Sequence, residues 1–192
     1  MKLPRWTLLI CGIATVVYLV PWLSSALIYD RESIQGGEWW RLITCNLVHL
    51  SSMHFMFNIF SLLVVGSIIE QRGDRYLWLV YLGTGMVVGL VVFITSSELQ
   101  FFGGLSGVVT AALAYLCVSG LRSQGAWHWL CLSLLVLIIV KIGLEFMLGV
   151  SLLSTTETQP FISVPASHLA GFCTALFVYV LTTMRSFSKQ SK

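Results

Sequence analysis

LWLVYLGTGMVVGLVVFIT, residues 77–95, runs for 19 residues without a charged side chain. A helix needs about 20 predominantly apolar residues to cross the hydrocarbon of a bilayer. The stretch is continuously apolar rather than alternating, and an isolated segment in lipid must satisfy its backbone hydrogen bonds internally. It therefore predicts a membrane-spanning α-helix.

Similar apolar segments lie on both sides of this stretch. The chain has 192 residues, of which 57% are hydrophobic and only 10% are charged, a composition that soluble domains do not have. The sequence predicts an all-α, polytopic membrane protein with six transmembrane helices in one domain over residues 1–192 and no separate soluble domain. The predicted spans are Trp6–Ile28, Leu47–Ile69, Leu77–Thr95, Ser106–Leu121, Trp127–Val150 and Val164–Met184.

The distribution of basic residues predicts the orientation of these spans. Cytoplasmic ends of membrane helices carry an excess of Lys and Arg. One set of ends carries Lys2, Arg5, Arg72, Arg75, Arg122, Arg185, Lys189 and Lys192, and the opposite set carries Arg31 and Arg41. We therefore expect both termini in the cytoplasm, and outer loops at 35–45, 96–105 and 151–163, the last of which would form a mobile cap.

Two polar residues then lie at the same outer level of the bilayer. Ser106 stands in FFGGLSG, residues 101–107, and His168 stands in PASHLAG, residues 165–171. A serine hydroxyl becomes a strong nucleophile when a neighbouring base takes its proton, and imidazole can do so near neutral pH. Glycines around Ser106 permit tight backbone turns, and the N–H groups that begin a helix favour negative charge. The pattern predicts a nucleophile, its general base and an oxyanion site.

A second polar pair lies in the second predicted span. His54 and Asn58 are four residues apart and share one helix face. A buried amide is costly in hydrocarbon unless it is paired, so hydrogen bonding between helices is one interpretation. With Ser106 at similar depth, we favour the other, in which both side chains donate to a developing oxyanion.

Small residues in the sixth predicted span indicate how the two reacting groups meet. Gly171 and Ala175 form a small-xxx-small stripe that lets helices approach closely, and His168 lies on nearly the same face as Gly171. Close packing against the fourth span would bring the imidazole to Ser106. No aspartate lies in a span near either residue, which predicts a Ser–His dyad rather than a triad.

Taken together in this order, these motifs resemble the rhomboid intramembrane serine proteases. The resemblance covers the chain from about Glu38 to Ala175. It includes Trp40-Arg41, His49, His54-xxx-Asn58, Glu70 with Arg72-Gly73, Gly104-Leu105-Ser106-Gly107 and Ala166–Gly171.

The resemblance implies a fold, an activity and residue roles. It implies a six-helix bundle of rhomboid type with Ser106 as the nucleophile and His168 as the base. It also implies that His54, Asn58 and the backbone N–H groups of Leu105 and Ser106 stabilise the oxyanion. Residues expected to support the site are His49, Gly104, Gly107, Thr110, Gly171, Ala175, Trp40, Arg41 and Glu70.

Two positions depart from the pattern of many rhomboids. Thr110 stands where many have a tyrosine that stacks on the catalytic histidine, so His168 must be held in another way. Ala175 stands where many have glycine. The compact length, the missing tyrosine and the Lys141-xxx-Glu145 pair are similar to the rhombosortase branch, which trims proteins that have a C-terminal membrane anchor.

Lys141 and Glu145 lie one turn apart in the fifth predicted span. Charges within a span are expensive, so we expect them to pair. One interpretation is a structural pair in which Lys141 extends toward an interface; the other is a gate pair beside the substrate entrance.

The sequence thus predicts a serine endopeptidase that cleaves transmembrane or tail-anchored proteins near the periplasmic side of a bacterial inner membrane. It would need no cofactor or metal and bind no nucleic acid; its oligomeric state is not predicted. The alternatives are rhombosortase-type tail trimming, a non-catalytic membrane protein that binds client proteins, and a small transporter.

Overall fold

The computed structural model describes residues 3–149 and 164–190, and describes side chains as far as residue 184. Its helices are α1 (Arg5–Leu19), α2 (Pro21–Leu27), α3 (Arg31–Gln35), α4 (Arg41–Thr44), α5 (Ser52–Gln71), α6 (Leu77–Thr95), α7 (Ser106–Gly120), α8 (Ala126–Leu148) and α9 (Pro165–Gln190). A 3₁₀ turn covers Cys45–Leu47, and two short strands are β1 (Tyr29–Asp30) and β2 (Phe101–Phe102). The predicted cap, residues 151–163, lies outside the described residues.

Four of these helices are long and apolar enough to cross a membrane. They are α5, α6, α8 and the Pro165–Met184 part of α9. The bent pair α1 and α2 is a fifth candidate span, and α7 is a shorter apolar helix. The structure therefore confirms a polytopic helical membrane protein, while the count of six spans and the cytoplasmic location of the termini stay predictions. The strand pair, in which Tyr29 faces Phe102, is a small exception to the all-α expectation.

The first predicted span, Trp6–Ile28, is not one continuous helix, because it is broken between α1 and α2. The chain turns by 111° between α1 and α2. Pro21 is the reason, because proline lacks a backbone N–H and its ring disfavours the helical conformation of the preceding residue. Val20 accordingly adopts φ −115° and ψ 94°, and Pro21 becomes the first residue of α2.

The second predicted span begins too early, at Leu47. Helix α5 begins at Ser52, and the Ser51 hydroxyl accepts a hydrogen bond from the His54 backbone N–H at 3.2 Å. Serine is a strong N-cap because its oxygen satisfies a free amide of the first turn. His49 therefore precedes the spanning helix, in a segment that is folded back against the bundle.

The side chain of Arg41 stabilises the loop between α2 and α5. Arg41 is 8% exposed. Its guanidinium donates to Glu38 Oε2 at 2.6 Å and to the carbonyls of Ser25 and Ile28, each at 2.9 Å. These contacts pair the charged groups of the loop internally.

The base of α1 is held by a carboxylate from α5. Glu70 Oε1 accepts hydrogen bonds from the backbone N–H of Thr7 at 2.8 Å and from its hydroxyl at 2.7 Å. Glu70 Oε2 accepts from the Trp6 N–H at 3.2 Å. Because the first N–H groups of a helix have no intrahelical partner and attract negative charge, Glu70 both caps α1 and joins it to α5.

Helix α7 lies at the centre of the bundle, and its closest approach is to α9. A methyl group at Gly171 would overlap the carbonyl of Gly107, and one at Gly107 would lie 3.1 Å from the carbonyl oxygen of Ser167. Ala175, one turn further along α9, is fully buried. The predicted close packing along the small-residue stripe is thus confirmed.

We expect Gly171→Ala to lower the free energy of unfolding by about 1–3 kcal/mol, because the added methyl forces α7 and α9 apart. Denaturant unfolding in detergent micelles would measure this. Gly12→Ala is the matched control, since open space surrounds a methyl group there. Equal stability of the two variants would contradict a tight α7–α9 contact.

Candidate active site

Ser106 is the first residue of α7, and the preceding loop is fixed against the segment before α5. The Gly104 N–H donates to the Cys45 carbonyl at 3.1 Å. Gly103 packs so closely that an added methyl would lie 2.9 Å from the Val48 carbonyl oxygen. Gly104 has φ +136°, a conformation that favours glycine. The two glycines thus let the loop pack closely against Cys45 and Val48, and α7 begins at Ser106.

A cavity of about 470 Å³ opens beside Ser106. It lies among α5, α7, α8 and α9. Its polar lining includes Ser106, His168, His54, Asn58 and Lys141. The structure therefore brings together residues that stand far apart in sequence, although no hydrogen bond joins the side chains of Ser106 and His168 within the described part of the chain.

His168 is buried on the first turn of α9 and contacts α8. Its Nδ1 lies 2.6 Å from Glu145 Oε2 and 3.2 Å from Lys141 Nζ. Lys141 Nζ also donates to the other oxygen of Glu145, Oε1, at 2.7 Å. The pairing expected of Lys141 and Glu145 is confirmed.

Sequence reasoning missed the contact between Glu145 and His168. The inference of a dyad rested on the absence of a nearby aspartate, and a glutamate from α8 occupies that place. Glu145 is 0% exposed, so its charge is balanced only by protein groups. The signal was present in the sequence, because a carboxylate in an apolar helix demands a partner, but only the packing of α8 against α9 identifies the second one.

His54 lies in the first turn of α5, and its ring packs against the loop before Ser106. A methyl group at Gly104 would overlap the imidazole of His54. The rings of His54 and His49 meet edge to face, with centroids 5.3 Å apart. Gly104 is therefore needed both for its backbone conformation and for the space that His54 fills.

His49 organises the neighbouring donors. Its Nε2 lies 3.1 Å from Asn58 Nδ2 and accepts from the Leu105 N–H at 3.4 Å. Two donors on Nε2 require the tautomer that carries the proton on Nδ1. The Leu105 N–H, expected to face an oxyanion, is thus directed to His49, and one of the two amide hydrogens of Asn58 is engaged there as well.

The remaining expected positions separate into two groups. Thr110 lines the cavity, but its hydroxyl donates to the Ser106 carbonyl at 2.8 Å and so is bound within α7. Trp40, Arg41 and Glu70 are not among the described residues that line the cavity. Their contacts shape the loop and the base of α1. Among the described residues, no cluster of three His, Cys, Asp or Glu could hold a metal ion.

Apolar membrane-length helices around a buried polar cavity define a polytopic integral membrane protein. A family model described as Rhomboid domain matches residues 36–185. That match covers most of the sequence, and the chain belongs to the rhomboid family.

Individual relatives agree with this assignment. The chain is 32% identical over 119 residues to rhomboid protease GlpG of Haemophilus influenzae, covering 58% of this chain and 61% of the relative. It is 30% identical over 125 residues to rhomboid protease GluP of Bacillus subtilis, covering 61% and 23%. It is 25% identical over 168 residues to RHOMBOID-like protein 5 of Arabidopsis thaliana, covering 86% and 51%. In each case the match spans less than two thirds of the relative's length.

We expect Gly104→Ala to destabilise the protein by more than Gly37→Ala does. Gly37 has φ +108° but open space around an added methyl, so its substitution meets backbone strain alone, about 1–2 kcal/mol. Gly104→Ala adds overlap with the His54 ring, a further cost of about 1–3 kcal/mol. Denaturant unfolding of both variants would show the difference, and equal losses would disprove the contact.

Proposed function

We propose that this rhomboid-family protein is an intramembrane serine endopeptidase in which Ser106 is the nucleophile and His168 is the general base. The observation that carries the proposal is the shared cavity, which Ser106, His168, His54 and Asn58 line together inside an apolar bundle. The names of two relatives, both rhomboid proteases, support it.

The geometry of His168 leaves one nitrogen for the reaction. Nδ1 already contacts Glu145, so Nε2 is the nitrogen that can accept the proton of Ser106. Catalytic hydrogen bonds are often long before substrate binds and tighten in the Michaelis complex. The placement of Ser106 and His168 at one cavity is therefore compatible with proton transfer once a peptide carbonyl lies against Ser106.

In the proposed reaction, Ser106 Oγ attacks the scissile carbonyl carbon while its proton passes to His168 Nε2. The carbonyl π electrons move to oxygen and form the oxyanion. Collapse of this intermediate breaks the C–N bond, and the imidazolium of His168 protonates the leaving amine. In the second half, His168 takes a proton from water, the hydroxide attacks the acyl-enzyme, and Ser106 leaves with that proton.

Three donors are proposed for the oxyanion. They are the ring of His54, the second amide hydrogen of Asn58 and the backbone N–H of Ser106. The last is supported by its place at the start of α7, where N–H groups have no intrahelical acceptor. We leave Leu105 out of this set, because its N–H is directed to His49.

The substrate is proposed to reach the cavity from the lipid. Phe57 and Phe60 of α5 line the cavity and are also exposed on the bundle surface. A membrane segment could therefore approach beside α5, unwind locally and present its backbone to Ser106. The charge bias of the sequence would place this reaction near the outer, periplasmic face. Tail trimming and client binding stay predictions from the sequence.

We expect Ser106→Ala to abolish labelling by a fluorophosphonate probe and to abolish cleavage, because the attacking oxygen is lost. Ser119→Ala is the matched control, since Ser119 lies on the same helix and its hydroxyl donates to the Leu116 carbonyl. Probe labelling of purified protein, with new N-termini read from membranes that contain either variant, would measure both effects. Cleavage that survives Ser106→Ala would refute the proposal.

We expect His54→Ala to lower kcat/KM by about 100-fold, which is the typical effect of removing one oxyanion donor. The control is His128→Ala. His128 lies at the start of α8, away from the cavity, and its ring contacts the Leu121 carbonyl. Kinetics on a membrane-anchored reporter would compare them. An unchanged rate in His54→Ala would remove this residue from the oxyanion site.

A further inference from the structure

Glu145 occupies a place that a stabilising ion pair alone does not explain. Its side chain is fully buried, and its two oxygens contact different groups, Lys141 Nζ at 2.7 Å and His168 Nδ1 at 2.6 Å. A buried ion pair seldom adds net stability over apolar side chains of similar volume, because both charges lose their hydration. An apolar residue at position 145 would avoid the burial of a carboxylate. The carboxylate that is present joins α8 to the proposed base, His168.

The hydrogen bond fixes which nitrogen of His168 carries a proton. A neutral imidazole has one N–H, and a carboxylate can only accept. Contact with Glu145 therefore holds the proton on Nδ1 and leaves the Nε2 lone pair directed away from α8. A base that must take the proton of Ser106 requires this tautomer, because a protonated Nε2 could not accept it.

Lys141 could impose the opposite tautomer. Its ammonium is 3.2 Å from His168 Nδ1, and an ammonium only donates, so that contact would require a bare Nδ1. The contact to Glu145 is shorter at 2.6 Å, and Lys141 has its own acceptor in Glu145 Oε1. The carboxylate thus keeps Nδ1 protonated and also occupies the ammonium.

The opposite charges of this pair limit its electrostatic effect on the ring. Coulomb energy falls with distance, so the ammonium of Lys141, at 3.2 Å from Nδ1, offsets part of the effect of the carboxylate at 2.6 Å. The main contribution of Glu145 is therefore orientation and choice of tautomer.

We propose that Glu145 is the positioning residue for His168, so that the site is a Ser106–His168–Glu145 triad with Lys141 as the partner of the carboxylate. This inference rests on the proposed protease function. It also explains how His168 is held without the tyrosine that many rhomboids have at position 110. The Thr110 hydroxyl donates to the Ser106 carbonyl, and Glu145 contacts the imidazole.

The test measures the rate of fluorophosphonate labelling in purified full-length protein. We expect Glu145→Gln to slow labelling about 100-fold, within the range attributed to a correctly disposed general base. Glu145→Asp should restore part of that rate because it keeps the carboxylate. Glu70→Gln is the matched control. It weakens a partly buried structural contact at the N-terminus of α1 and should lower thermal stability without a comparable loss of labelling.

The double variant Lys141→Met/Glu145→Gln separates positioning from structural pairing. It removes both charges, so no unpaired ammonium destabilises the fold. We expect it to be as stable as the wild type and still label at least about tenfold more slowly. Labelling at the wild-type rate would overturn the proposal and leave the pair with a structural role only.

The ¹⁵N NMR spectrum of histidine-labelled protein supplies a readout that needs no activity. The His168 signals are identified by their loss in His168→Gln. We expect protonated Nδ1 and bare Nε2 in the wild type, and a change of tautomer in Glu145→Gln. An unchanged tautomer would overturn the inference. If the wild type neither labels nor cleaves, the proposed function fails, whereas the tautomer still decides the role of Glu145.

Discussion

The close approach of α7 and α9 is the constraint on which the rest of the site depends. Gly171 lies against the carbonyl of Gly107, with no space for a methyl group between them. Gly107 directly follows Ser106, and His168 lies one turn before Gly171 on the same helix. Lipid supplies no hydrophobic drive between helices, so such close van der Waals contact is what holds them together. The same contact sets Ser106 and His168 at one cavity.

Several polar side chains in this bundle bind partners from other segments. Glu70 caps α1 from α5, and Arg31 donates to the carbonyls of Phe93 and Ser96 at the end of α6. His49 joins Asn58 to the loop before α7. Each contact spares a polar group from unpaired burial, which costs several kcal/mol in hydrocarbon. The polar contacts therefore help to fix the position of the helices relative to one another, and so the position of the cavity within the bundle.

The triad inferred here extends the same logic to the reacting groups. A histidine on an exposed loop could be oriented by water, but one between apolar helices must be oriented by the protein. Glu145 performs that task from α8, and its charge in turn requires Lys141. The cost of burying one carboxylate thus explains why the two charged residues of α8 lie four positions apart and pair with each other.

Much of the fold was predictable because apolar length is a local property. Residues 77–95 form a helix with the predicted bounds, and the fourth span differs by one residue at its end. The differences arose where local chemistry interrupts a hydrophobic run. Pro21 bends the first span, and the Ser51 cap delays the start of α5, which moves His49 out of that helix.

The site was predictable as a set of residue types but not as a network. Ser106, His168, His54 and Asn58 could be chosen from their glycine neighbours, their depth and their helical spacing, and the family resemblance supported the choice. The Leu105 amide was expected at the oxyanion and is directed to His49 instead. A backbone N–H has no sequence signature for its direction, which depends on the packed loop.

The sequence by itself determined that this chain is a helical membrane protein of the rhomboid family with a serine and a histidine among glycines, because hydropathy and motif spacing are written along the chain. Only the tertiary structure decided that Glu145 meets His168 and that His49 takes the Leu105 amide. Those partners lie 23 and 56 residues apart, and their meeting is decided by which helix faces pack together, a property that no single segment encodes.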